Sequence, residues 1–355
     1  MRKLLLATTF AAASLANFTS PSAQAQGAPV AKDGRSVAEI ATYTGPDRER
    51  RLLEGAKKEG EVSVYYAHPI VADMMAAFTK KTGIKTRAWR GSSEQMMQRI
   101  TAEARANRHD VDIFLTTATD TEAAARDKLT QEIRSPHHAD LVNGALPAHR
   151  QWAMFNLDVF VASYNTRLVK KEDLPKSLQD LADPKWKGKL AVEANDHVWL
   201  GGLMSELGEE RAKKLLESVI ATNGISVRKG HSLLAGMVAS GEVPLALTLY
   251  TWNAVSLKKK GAPIEMLPLQ PLIAFPSAMA MMSRAPNANA AVLFYDFVLG
   301  EGQTMMAEQG YAGSSKKATS VVGNLPLKII DVATNAAQQD KWVKAYDETV
   351  VKKAR

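Results

Sequence analysis

The sequence predicts an α/β protein of two lobes, each a mainly parallel sheet flanked by helices, with a double hinge between them. Three observations carry this reading. Residues 61–117 read as three strands, each running through a short polar turn into a helix, which is the pattern of a parallel sheet. A second strand–helix series over 189–267 is inserted between two segments of first-lobe character, so the chain crosses between lobes twice. After removal of the N-terminal segment described below, about 330 residues remain, more than one compact core accommodates. The division expected is lobe 1 from 45–164 plus 269–355 and lobe 2 from 165–268.

Taken in order, 47–59 is a charged amphipathic helix. The strand at 61–67 ends at His68-Pro69, where Pro69 suits a first helical position. The strand at 84–89 ends at Arg90-Gly91, and Ser92 with Gln95 forms a capping box for a helix that finishes within 101–107. The strand at 112–116 leads through Thr117-Ala118 to a helix containing 120–128, for which Thr119 with Glu122 fits a second capping box. Ligands of such open sheets sit beyond the carboxyl ends of the strands. These turns therefore present several helix N-termini, with free backbone N–H groups, to one crevice.

Residues 136–150 are loop-like, and 151–164 alternate around Phe155, Val159 and Val161 as a long strand. The stretch 170–188 is turn-rich and charged. A strand at 189–192 leads into Asn195-Asp196-His197, helices follow at 208–221 and 232–240, and a strand at 243–249 ends at Tyr250. The helix at 254–260 is stopped by Gly261, and 264–267 is a strand. Residues 275–282 are strand-like, and 289–299 and 302–309 are helices.

Arg2 and Lys3, the apolar run 4–16 and the Ala23-Gln24-Ala25 site read as a secretory signal, residues 1–25, followed by a flexible leader over 26–44. The expected compartment is the bacterial periplasm. Zero cysteines exclude disulfides, thiolate metal sites and a Cys nucleophile. The formal charge of +8 falls to nearer +6 without Arg2 and Lys3; its basic residues are scattered, which argues against nucleic acid. Neither a G-x-S-x-G elbow nor an H-E-x-x-H helix is present, so no hydrolase motif is found.

The segments 61–66 (EVSVYY), 78–84 (FTKKTGI), 90–104 (RGSSEQMMQRITAEA), 110–117 (DVDIFLTT), 181–189 (LADPKWKGK) and 245–250, with Tyr164-Asn165, together resemble the periplasmic solute-binding proteins of ABC transporters, in the ferric-iron-binding branch. The resemblance implies a type II-like periplasmic binding fold, a small-molecule or metal-ion ligand, a transient membrane permease partner, a monomer, and no enzymatic activity or resident cofactor. That branch typically holds Fe³⁺ with two adjacent tyrosines, a His and a Glu. This sequence departs from the pattern: Leu249-Tyr250 stands at the tyrosine pair and Thr116-Thr117 at the acidic position, with His68 near the histidine.

The candidate contacts are Tyr66, His68, Ser92, Ser93, Thr116, Thr117, Asp196, His197, Tyr250 and Asn253. Tyr65 and Tyr66 point to opposite faces of their strand, so at most one reaches the crevice, and core packing competes for both. His68 and Ser92 serve equally as helix caps, Asp196-His197 as a surface turn, and Trp252 as lobe packing. The pair His137-His138 reads as solvated surface, and Met96-Met97 and Met279 to Met282 as core. The incomplete iron set favours a small anionic or oxygen-rich solute; Fe³⁺ held by His68 and Tyr250 is the alternative in the same class. A ligand-presenting sensor for a receptor kinase and a secreted hydrolase are the alternatives of other classes.

Overall fold

The computed structural model describes residues 34–317 and 321–354; the signal segment lies outside them. The strands are β1 (Glu61–Tyr66), β2 (Lys85–Arg90), β3 (Ile113–Thr117), β4 (Ala153–Asn165), β5 (Leu190–Glu193), β6 (Ser226–Arg228), β7 (Leu245–Tyr250), β8 (Ile264–Leu267), β9 (Leu272–Met281), β10 (Ala312–Gly313) and β11 (Leu327–Ile329). The helices are α1 (Val37–Thr42), α2 (Arg48–Glu59), α3 (Ile70–Thr82), α4 (Ser93–Arg105), α5 (Ala118–Arg126), α6 (His197–Leu207), α7 (Glu209–Asn223), α8 (His231–Ser240), α9 (Thr251–Lys259), α10 (Ala288–Leu299), α11 (Glu301–Glu308) and α12 (Val332–Thr349).

The main sheet order is β2-β1-β3-β9-β4-β7-β5-β6. β1 pairs in parallel with β2 and β3, and β5 in parallel with β6 and β7. The antiparallel strands β9 and β4 stand between these two parallel sets. β4 serves both: its first part pairs with β9, and Phe160 to Asn165 pair with β7 and β8. This is the two-lobe α/β fold.

Each lobe buries both faces of its sheet. Tyr66, Phe78, Phe155 and Phe294 fill one face of the first lobe, and Tyr65, Met96, Phe114 and Trp152 the other. In the second lobe Leu190, Trp199, Leu203 and Trp342 oppose a smaller cluster around Leu234, Val238 and Leu249. Alternate residues of β1 point to opposite faces, and so Tyr65 and Tyr66 separate.

Several local expectations shift. The cap of α5 is Thr117, two residues before the expected Thr119, because β3 continues to that point; the Thr117 hydroxyl accepts from the Asp120 N–H at 3.2 Å and donates to its carboxylate at 2.7 Å. Pro69 sits just outside α3, in the cap position. Within the expected leader, residues 37–42 form α1, with a Ser36–Glu39 capping box and Val37 and Ile40 buried. His138 is not a free surface group: it bonds the Tyr295 hydroxyl at 2.9 Å, and burial pushes its pKa down to about 4.

The C-terminal helix α12 has no counterpart in the sequence reading, which placed all of 269–355 in the first lobe. Trp342, Ala345 and Tyr346 instead enter the second-lobe cluster against α6. Gly201 of α6 allows this, because a Cβ there would overlap the ring of Trp342; the neighbouring Gly202 instead makes room for Ile273 of β9. At its other end α12 reaches the first lobe, where Asn335 donates to the Thr119 hydroxyl at 2.8 Å.

Candidate functional site

A cavity of about 1540 Å³ is lined by residues that follow β1, β2 and β3 on one wall and β5, β6 and β7 on the other. It exceeds the roughly 300–1,000 Å³ of closed small-molecule pockets, as an open cleft between two walls should. Arg90 reaches across it to Ser232 at 3.4 Å.

The first-lobe wall starts at His68, whose Nε2 lies 2.9 and 3.2 Å from the two oxygens of Asp158 on β4. Asp158 is almost fully buried, and it also accepts from Ser277 at 2.5 Å, Trp252 Nε1 at 3.2 Å and Asn156 at 2.9 Å. Burial alone would raise its carboxyl pKa; the attraction of His68 and the hydrogen bonds of His68, Ser277 and Trp252 outweigh burial and hold it below the usual value. The rings of Trp252 and Tyr311 stack at 5.1 Å. Beside this floor, Ser92 caps α4 by accepting from Gln95 N–H at 3.2 Å, with the reciprocal bond at 3.0 Å, and Ser93 opens the helix. The expected capping box is present, and it leaves other N–H groups of the first turn facing the cleft.

The second-lobe wall is acidic at its centre. Glu193 ends β5, and its oxygens accept from Gly230 N–H at 2.8 Å and Asn195 N–H at 2.5 Å. Asp196 Oδ1 lies 2.9 Å from His231 Nε2, while Asp196 Oδ2 is buried without a hydrogen-bond partner. Burial, with help from Asp196, raises the Glu193 carboxyl pKa. For His231, burial pulls the pKa down, but Asp196, Glu193 and Asp158 together push it above its ordinary value. Tyr250 stacks on His231 with ring centroids 4.2 Å apart. Burial, then Asp196, Asp158 and Glu193, push its phenol well above the usual range, so at neutral pH it remains an O–H donor. Burial lowers the pKa of His197.

Of the residues singled out from sequence, His68, Ser92, Ser93, Thr117, Asp196, His197 and Tyr250 line this one cavity. Three are placed elsewhere. Tyr66 packs into the first-lobe core because the strand's alternation turns it away from the crevice. Thr116 is fully buried and points with β3 into the sheet packing, its hydroxyl 3.4 Å from Asp120. Asn253 is buried and accepts from Tyr250 N–H at 2.9 Å, which makes it a cap of α9. The sequence reading missed Asp158, Glu193 and His231. Glu193 had a usable signal, since it ends a strand as His68 and Thr117 nearly do. Asp158 was a lone charge inside an apolar strand. His231 follows the short strand β6, which the sequence reading did not include.

Comparison with known proteins converges on one group. The profile of the family described as bacterial extracellular solute-binding protein matches residues 73–324. The iron uptake protein A1 of a Synechocystis strain is 22% identical over 296 residues, covering 77% of this chain and 81% of that one. The Fe(3+)-binding periplasmic protein of Serratia marcescens is 26% identical over 213 residues, covering 59% and 62%. Among solved structures, iron-bound HitA from Pseudomonas aeruginosa superposes with a TM-score of 0.67 at 20% identity, covering 80% of this chain and 98% of HitA. AfuA from Actinobacillus pleuropneumoniae, with fructose-6-phosphate bound, gives 0.68 at 20% identity, covering 82% and 99%. At that identity the structures establish the fold alone.

Proposed function

The chain belongs to the bacterial extracellular solute-binding protein family, and on that premise we propose that it captures a small oxygen-rich solute between its lobes and hands it to a membrane permease. The observation that carries this is one cavity lined by strand ends and helix N-termini of both lobes. Closure would bring the N–H groups at Ser93 and the Arg90 guanidinium onto oxygen atoms of the solute. Phe160, Tyr250 and Phe275 supply an apolar wall. The protein would act as a monomer in the periplasm; no helix among the described residues is long and apolar enough to cross a membrane.

The receptor reading includes no catalysis. His68, Asp158 and Ser277 are close together, but Asp158 is the centre and takes the bonds from both of the others. Ser277 therefore donates to a carboxylate instead of to a histidine base, so His68 does not activate its hydroxyl as a nucleophile. Native mass spectrometry of the protein recovered from its own periplasm, with scattering measured with and without the recovered solute, tests the reading. Compaction on loading is expected; an unchanged radius with the solute bound would contradict it.

Fe³⁺ is the second reading. Both curated relatives described above carry iron in their names, and Tyr250 with nearby carboxylates offers hard oxygen donors. Tyr250→Phe separates the two. For an oxygen-rich solute, removing one hydroxyl should cost about 0.5–3 kcal/mol of binding in a colourless complex. For Fe³⁺, binding should collapse, and the charge-transfer colour of a tyrosinate complex should vanish with it. Titration calorimetry and one absorbance spectrum give the answer.

A further inference from the structure

We propose that Glu193, Asp196 and His231 form a binding site for one divalent transition-metal ion on the second-lobe wall of the cleft. A carboxylate oxygen of each acid and a ring nitrogen of the histidine lie within 4.8 Å of one another. None of these three belongs to the tyrosine-based set that the resemblance implies, and all come from one lobe. The inference rests on the receptor reading in one respect: the ion is captured in, or anchors the solute in, that same cleft.

The spacing is that of a coordination edge. Ligand bonds of about 2.0–2.2 Å at right angles place two donors about 2.8–3.1 Å apart. Asp196 Oδ1 and His231 Nε2 are separated by 2.9 Å. An ion entering there replaces the proton that now joins them. Glu193 brings a third ligand atom within 4.8 Å of the other two, and neighbouring groups set its orientation. Its carboxylate is held by Gly230 and Asn195 N–H, its own N–H donates to Thr248 Oγ1 at 2.9 Å, and its carbonyl accepts from the Tyr346 hydroxyl at 2.5 Å. Such outer bonds are how metal ligands are held in place.

Asp196 itself is a second, independent observation that points to a ligand. The residue is 3% exposed, lines the cavity, and keeps Oδ2 without any donor. A carboxylate oxygen buried in that way is costly unless a charge or donor meets it. The chemistry of the set selects the class. Two carboxylates and one neutral imidazole balance a charge of +2, and the mixed oxygen–nitrogen donors suit Mn²⁺, Fe²⁺ or Zn²⁺. Ligation from one wall leaves the remaining positions open to the cleft, for water or for oxygen atoms of a solute.

The test uses the mature protein stripped with chelator and titrated with Mn²⁺ alone, read by electron paramagnetic resonance, with Zn²⁺ as competitor. One Mn²⁺ per chain is expected, displaced by Zn²⁺. His231→Gln and Asp196→Asn should each weaken it beyond about 100-fold, more than changes to outer-sphere partners cause, whereas Ser240→Ala, at the far end of α8, should leave it unchanged. Circular dichroism confirms that each variant is folded, and nitrogen hyperfine coupling in the unmodified protein reports the histidine without any variant. No Mn²⁺ or Zn²⁺ binding at millimolar metal, or equal binding by both ligand variants, would overturn the site. A metal-free solute adduct in a protein that binds neither ion removes this inference and leaves the receptor reading standing. One bound Mn²⁺ with no compaction under any solute supports the site and removes the receptor reading.

Discussion

Asp158→Ala should destabilise the protein by about 3–5 kcal/mol, the range for removing one partner of a buried charge pair. The carboxylate gathers bonds from His68, Ser277, Trp252 and Asn156, residues from four separate places in the chain. Alanine leaves those donors buried and unmet. Relief of the carboxylate's own desolvation opposes this, but it is one group against several. His68 has no spare partner either, since its Nδ1 is already without one. Asp158→Asn, which keeps the shape and one acceptor, should cost less, about 1.5–3 kcal/mol. Urea unfolding at neutral pH measures both; a loss under about 1 kcal/mol for alanine, an ordinary substitution effect, would refute the account. The pH dependence has a definite sign. The folded-state pKa lies below the unfolded value of about 3.9. The stabilisation is therefore complete at neutral pH and is lost as the pH falls through the folded value. The gap between wild type and variant should narrow as the pH falls below the unfolded value.

Trp342→Ala should cost a similar amount, about 3–5 kcal/mol, because it empties a fully enclosed indole site. The more discriminating result lies with Gly201, whose missing Cβ admits that ring. Gly201→Ala in the natural protein sets about 1–3 kcal/mol of overpacking against about 0.5–1 kcal/mol of helix gain, and should destabilise. In the Trp342→Ala background the clash is gone and only the helix gain remains, so the same change should stabilise. Four urea curves complete the double-mutant cycle. Additive effects would mean that α12 does not depend on the glycine. The change also reaches the cleft, because α12 carries the Tyr346 hydroxyl that holds Glu193 and the Asn335 amide that bonds Thr119.

What could be read from the sequence was local. The alternation of 61–66, the Ser92–Gln95 capping box and the strand ends at His68, Thr117 and Tyr250 depend on neighbours a few residues away, and they place part of each wall correctly. What could not be read is long-range. His68 meets Asp158 across 90 positions, and Asp196 meets His231 across 35. Neither pairing leaves a periodic signal. The docking of α12 was equally hidden, since it depends on one glycine of a distant helix, Gly201, whose purpose appears only when Trp342 arrives. Thr119 was taken for the cap in place of Thr117 for a simpler reason: a strand end uncertain by one or two residues moves the cap with it.

β4 has a consequence for how the molecule comes apart. Its first part is laddered to β9 and its last part to β7 and β8. Neither hydrophobic interior can lose its sheet without fraying a strand that the other still needs. The two lobes are thus expected to behave as one cooperative unit thermodynamically. Heating should yield a single melting event, and the amides along this strand should be among the last to exchange with solvent.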